Sequence, residues 1–333
     1  MATSKSKATA TKSAASPATK TVKKAAPAKV AARKPAAKKV AAKTAAAVKV
    51  FQFYAEGWQR ELLDPAFVAL DASKLAPSEL REVAVMGQLQ QDAQLTKGVP
   101  LWGVVSWQFT EKTGLKGRDF VKQINDNPGH DVYFCNPYLS DEAAFHNTWL
   151  QGSTEFDQFL PLVQSVFKAA GLDATELTAV QPSMSYSRGN YLVATPKFWA
   201  AYLAFVGQVL AAAEKKLPPA VRKLMHTVVA DPRGVYGGAT YVPFIVERLL
   251  GYFMHKHGKG LKAFKLTLPK AEAGLNVHQK LLREMKNVAH QTKSPWLAAC
   301  WVNYRNLFFS QTRTKAWCTK YLRAITPTDV HFV

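Results

Sequence analysis

The sequence predicts one α/β domain over roughly residues 50–333, three-layered and with a helical C-terminal part from about residue 271, behind a disordered basic arm of residues 1–49. Three observations predict it. Composition changes abruptly at Val50, after which Phe51, Phe53, Tyr54 and Trp58 follow a stretch with no aromatic residue. Short apolar runs then alternate with longer stretches of helical period, the pattern of a sheet covered by helices. A chain of about 280 residues buries a core large enough for a single domain.

The arm holds 13 of the 44 basic residues and none of the 23 acidic ones. The remainder of the chain is left at +8, so a net charge of +21 is concentrated in one short segment. With almost nothing to bury, the arm cannot offset a backbone ordering cost of about 1–2 kcal/mol per residue. Pro17, Pro27 and Pro35 interrupt any long helix. Its Lys/Ala/Pro composition is similar to the tails of linker histones and bacterial histone-like proteins. That likeness implies nonspecific binding to DNA, RNA or an anionic membrane surface, with Lys23, Lys24, Arg33, Lys34, Lys38 and Lys39 as the candidate contacts.

Within the domain, Phe51–Tyr54 reads as the first strand of a parallel sheet. Ser78 and Glu79 mark a helix start, with Leu80, Val83, Met86 and Leu89 at helical spacing. Leu101–Phe109 is a second buried strand, and a helix follows it to Asn127-Pro128-Gly129. Asp131–Cys135 is a third strand, stopped by Asn136-Pro137. Phe156–Ala170 is an amphipathic helix, Tyr191–Ala194 a strand, and Lys197–Leu217 a long helix ending before Pro218-Pro219. A glycine-rich loop, Gly234–Gly238, leads to an apolar helix over Tyr241–Phe253. Ala271–His290 and Leu297–Leu322 complete the pattern as helices.

Three cysteines with no CxxC pair, and an N-terminus without an apolar core, favour a reducing, cytoplasmic setting. The most apolar segment, Phe198–Ala213, contains Gln208 and reads as a core helix; no transmembrane segment is expected. GxGxxG, the Walker loop, GxSxG and HExxH are absent. His255, His257, His278 and His290 lack ligand spacing and sit among lysines, so they read as a basic surface and no metal site is assigned.

Asp131 opens an apolar strand and is a candidate ligand contact, with a structural hydrogen-bonding role as the alternative. Asp141-Glu142 reads as an ordinary pair at a helix N-terminus. Glu247-Arg248 lies in a segment apolar on nearly every face, where an unpaired carboxylate costs several kcal/mol. Glu247 therefore either pairs with a cation such as Arg248 or Arg233, or lines a cavity.

Taken in order, several segments resemble bacterial glycosyltransferase-like proteins of capsule and surface-polysaccharide clusters. They are Phe51–Tyr54 with Leu63-Asp-Pro65, Trp102–Phe109 with Lys112–Leu115, Asp131–Phe134 with Asn136-Pro137, Gly189–Trp199, and Glu247–Leu250. The resemblance covers roughly residues 51–255 and implies a GT-A-like fold binding a nucleotide-diphosphate sugar. It implies Glu247 as acceptor-side base or substrate clamp, and Asn190 as a substrate contact; Asn136 and Arg248 join it as candidate substrate-binding residues. Many such enzymes hold a divalent metal with an Asp-x-Asp, which is missing from Val105–Phe109. Either basic residues such as Lys112 and Arg118 meet the diphosphate, or the domain is not a metal-dependent transferase. The alternative function is a nucleoid- or RNA-associated protein acting through its arm.

Overall fold

The strands β1 (Val48–Tyr54), β2 (Val68–Asp71), β3 (Leu101–Ser106), β4 (Val132–Phe134), β5 (Leu192–Ala194) and β6 (Ala263–Lys265) form one sheet in the order β2-β1-β3-β5-β4-β6. β1 runs parallel to β2 and β3, and β4 parallel to β6. β5 alone is reversed, antiparallel to both β3 and β4. This is a computed structural model describing residues 47–75, 78–92, 94–232 and 234–333, within a compact unit that begins at Thr44. The six arm residues singled out above, and Arg233, lie outside the described residues.

The helices are α1 (Glu82–Gln91), α2 (Phe109–Thr113), α3 (Gly117–Asp126), α4 (Leu139–Ala144), α5 (Thr148–Gly152), α6 (Phe159–Ala170) and α7 (Pro196–Lys216). They continue with α8 (Pro219–Met225), α9 (Tyr241–Val246), α10 (Leu249–Lys256), α11 (Pro269–Ala273), α12 (Val277–Thr292), α13 (Pro295–Thr312) and α14 (Lys315–Tyr321). Among the described residues no helix is long and apolar enough to cross a membrane.

Successive strand residues point to opposite faces, and each face is buried. Phe51, Trp102, Val104, Phe134 and Leu192 join the α6–α7 side, whereas Val50, Leu101, Val105, Tyr133 and Val193 join Phe109, Phe120 and Ile124 of α2 and α3. α7 begins where Thr195 caps the amide of Phe198, with Pro196 in the first turn. Trp199 stacks on Trp102 at 4.8 Å and donates its indole N–H to the Trp102 carbonyl at 2.9 Å, locking α7 to the sheet.

Several expectations shift. β1 starts at Val48, ahead of the expected boundary at residue 50, and Lys49 is a strand residue opposite Trp102. α1 starts at Glu82 because Arg81 takes a positive φ of 48° that interrupts the turn before it. The apolar segment Tyr241–Phe253 is two helices, broken at Glu247-Arg248. The last two expected helices are each divided as well, at Gly274–Asn276 and at Arg313-Thr314.

Candidate functional site

The C-terminal ends of β3 and β4 lie at one edge of the sheet, and the reversed β5 begins there. Gln52 closes that edge from beneath: its amide donates to the carbonyls of Ser106 and Trp107, both at 3.2 Å, and its oxygen accepts from the Asp64 amide at 2.7 Å. Asn136, fully buried, performs the same office after β4. Its side chain accepts from the Tyr138 amide at 3.3 Å and donates to Glu142 at 2.9 Å, which sets the start of α4. Between these edges opens a cavity of about 350 Å³. Clefts at the carboxyl ends of parallel strands are where open α/β sheets bind ligands.

Charge is organised around Arg188, whose side chain is only 9% exposed. It donates to Asp141 at 2.7 Å and to Glu155 at 2.5 Å, and its guanidinium lies over the Tyr138 ring at 4.2 Å. Burial works against the Arg188 charge, but Glu155 and Asp141 outweigh it and hold its pKa above the ordinary value. Asp141 is raised, because burial exceeds the opposing pull of Arg188. Arg188, Asp141 and Glu155 all line the cavity.

Glu247 lines the cavity too, with 21% of its side chain exposed, at the break between α9 and α10. Its carboxylate accepts from the wholly buried Arg248 at 2.5 Å. Burial raises the Glu247 pKa, while Arg248 and Arg188 pull it down without reversing the shift. Both alternatives read from the sequence hold at once: Glu247 has its cation and faces the cavity. Arg248 sits behind the wall, spending its remaining donors on the carbonyls of Thr148 and Phe244 and on the Gln151 side chain. Gly152 makes room for it, since a Cβ there would meet Phe159 at 2.5 Å and Arg248 at 3.1 Å.

Of the other residues singled out, Asn190 lines the cavity and makes no side-chain hydrogen bond among the described residues. Lys112 lines it and is exposed. Asp131 is at the opposite edge: it precedes β4, and its carboxylate accepts from the Lys262 amide at 2.9 Å, a structural role ahead of β6. Asn136 and Arg248 are buried supports that do not line the cavity. Arg118 is also outside it, pointing to solvent beside Asp119. Arg81 supplies a cation that sequence reasoning missed, and it is tied to the Tyr236 and Gly237 carbonyls of the glycine-rich loop.

Among the described residues no group of three His, Cys, Asp or Glu side chains is placed to hold a metal ion. His255 pairs with Glu176, His278 with Tyr304, and His290 with the carbonyl of Val333. No family model, curated protein or solved structure matches the chain, so its functional reading rests on this geometry.

Proposed function

We propose that the domain is a glycosyltransferase with a GT-A-like fold, holding a nucleotide-diphosphate sugar in this cavity for polysaccharide or glycoconjugate synthesis. The observation that carries the reading is the placement of Glu247, Asp141 and Glu155 around a cleft at the carboxyl edge of a mainly parallel sheet, with Lys112 also lining it. The single reversed strand is compatible with such a fold. In this reading Lys112 meets the diphosphate and Asn190 the sugar or ribose hydroxyls. Glu247 takes the proton of the acceptor hydroxyl as its oxygen bonds the anomeric carbon, and the nucleoside diphosphate leaves with the electrons of the broken bond. A carboxyl raised toward neutrality suits a base.

The test is a panel of uridine, guanosine and thymidine diphosphate sugars, scored by thermal stabilisation with and without magnesium or manganese. Stabilisation by one nucleotide class, with release of its diphosphate when acceptor is added, is expected. If none stabilises the chain, the transferase reading fails.

The acid-free arm favours a second, separable activity: nonspecific polyanion binding by residues 1–49. With ~5–8 lysines on phosphates, log K against log salt for duplex DNA has a slope of about −4 to −7. A flat salt response would remove it.

A further inference from the structure

The carboxyl ends of β1, β2 and β3 open onto a second cavity, of about 480 Å³. Phe53 near the end of β1, Ala72 just after β2 and Ser106 at the end of β3 line it, and the three strands are parallel neighbours. That is the position at which open α/β sheets receive ligands. The second cavity shares one wall with the cavity around Glu247: Arg81, Glu82, Ser106, Lys112 and Val235 line both.

Beyond the common wall the two differ in chemistry. The Glu247 side carries Asp141, Glu155 and Arg188. The second cavity has no further charged residue among those that line it. Phe53, Leu75 and Trp107 give it apolar surface, and Trp107 is braced edge-on against Trp58 at 5.0 Å. Gln88 and Gln108 bring amides that make no side-chain hydrogen bond among the described residues. Such a lining suits a neutral planar ring with donors and acceptors on its edge.

The common wall suits an anion. Arg81 and Lys112 are exposed and form no ion pair among the described residues, with Glu82 or with any other acid. Arg81 donates to the Tyr236 and Gly237 carbonyls, and its φ of +48° is one that a residue with a side chain rarely adopts. Two cations without carboxylates therefore stand where the cavities meet. Small-molecule clefts run from about 300 to 1,000 Å³, so the 350 Å³ around Glu247 is small for a nucleotide with a sugar attached.

We infer that the second cavity takes the nucleoside of a nucleoside diphosphate, and that Arg81 and Lys112 bind its phosphates at the common wall. Whatever the diphosphate carries then projects toward Glu247. The place of the sugar rests on the transferase reading; the place of the nucleotide does not.

The experiment follows thermal stabilisation of the full chain by uridine, guanosine and thymidine diphosphates and by inorganic pyrophosphate. Ligand held by the arm alone does not favour the folded state, so it leaves the melting temperature unmoved. One nucleoside diphosphate, and pyrophosphate more weakly, are expected to stabilise. In Arg81→Gln and in Lys112→Gln the concentration needed for a fixed rise should increase about tenfold for both probes. Ala72→Leu fills the second cavity, and Trp107→Ala removes its ring without adding bulk. Each should weaken the nucleoside diphosphate about tenfold and leave pyrophosphate unchanged. Failure of either probe to stabilise the unaltered chain, indifference to both cation variants, or Ala72→Leu and Trp107→Ala variants that treat the two probes alike overturns the inference. Transfer is measured separately. A chain that passes these tests but never releases diphosphate from a nucleotide sugar keeps this site and loses the transferase reading, and transfer indifferent to Arg81→Gln and Ala72→Leu does the reverse.

Discussion

Arg248 is wholly buried, and its nearest carboxylate belongs to its own chain neighbour, Glu247, 2.5 Å away at a break between two helices, with Glu155 at 3.9 Å. A continuous helix would send adjacent side chains off at different angles. Here one residue of the pair anchors in the core while the other lines the cavity.

Glu247→Gln is expected to leave stability within about 1 kcal/mol, since an amide oxygen still accepts from Arg248, which has three other acceptors. Transfer should collapse. The pH dependence has a definite sign. A carboxyl whose pKa is raised on folding adds stability in acid and loses it as pH rises through the folded value. Glutamine does not titrate, so the variant's melting temperature should gain on the unaltered chain between acid and neutral pH. A variant that melts far earlier at neutral pH, or turns over normally, contradicts the assignment.

Arg188→Ala takes the ion-pair partner from Asp141 and leaves Glu155 with only Arg248, 3.9 Å away, in a largely buried cluster. Urea unfolding should show a loss of about 3–5 kcal/mol. Arg188→Lys offers a point charge in place of a planar fork and should recover only part of it. A neutral Ala substitution would mean the cluster is solvated.

Lys286 of α12 is fully buried and donates to the carbonyls of Glu142 and Phe145. Burial pulls its pKa down to about 7. A lysine depressed on folding costs most below its folded pKa, so stability should rise as pH climbs from about 7 toward the unfolded lysine value. Lys286→Met should flatten that slope. Equal slopes in the two chains, measured by denaturant titration from weakly acid to alkaline pH, would locate the dependence elsewhere.

Removing residues 1–43 should leave the melting temperature unchanged, because the compact unit begins at Thr44. Removing residues 1–49 should lower it, because Val48 and Lys49 pair with Leu101 and Trp102 in the interior of the sheet. Identical melts for the two truncations would show that the first strand pairs contribute nothing.

Long apolar runs made β1, β3, β4 and α7 legible in the sequence. β2 and β6 were not legible, since each is short and lies at an edge of the sheet. Asp131 reads equally as a ligand contact or as a structural hydrogen-bonding residue, because a strand's sequence does not say which edge of the sheet its first residue occupies. Arg188 was missed for a related reason. Only its position before Gly189, whose φ of +115° favours glycine, hinted at a constrained turn ahead of β5. Its acidic partners are 47 and 33 residues away in the chain. In the sequence Asp141 is an ordinary first-turn acid, and nothing near it in the chain announces its pairing with Arg188.

The reversed strand also governs when the cleft comes into being. β3 and β4 do not pair with each other; β5 is wedged between them, so tightly that a Cβ on Gly103 would lie 2.2 Å from the Leu192 carbonyl. Without the β5 pairings the sheet would be two separate ladders, β2-β1-β3 and β4-β6. Those pairings close long loops. A chain cut before Leu192 therefore keeps Lys112, Asp141 and Glu155 but lacks β5, β6 and the Tyr236 and Glu247 side of the cavity. The cavity in this fold is a product of the completed sheet.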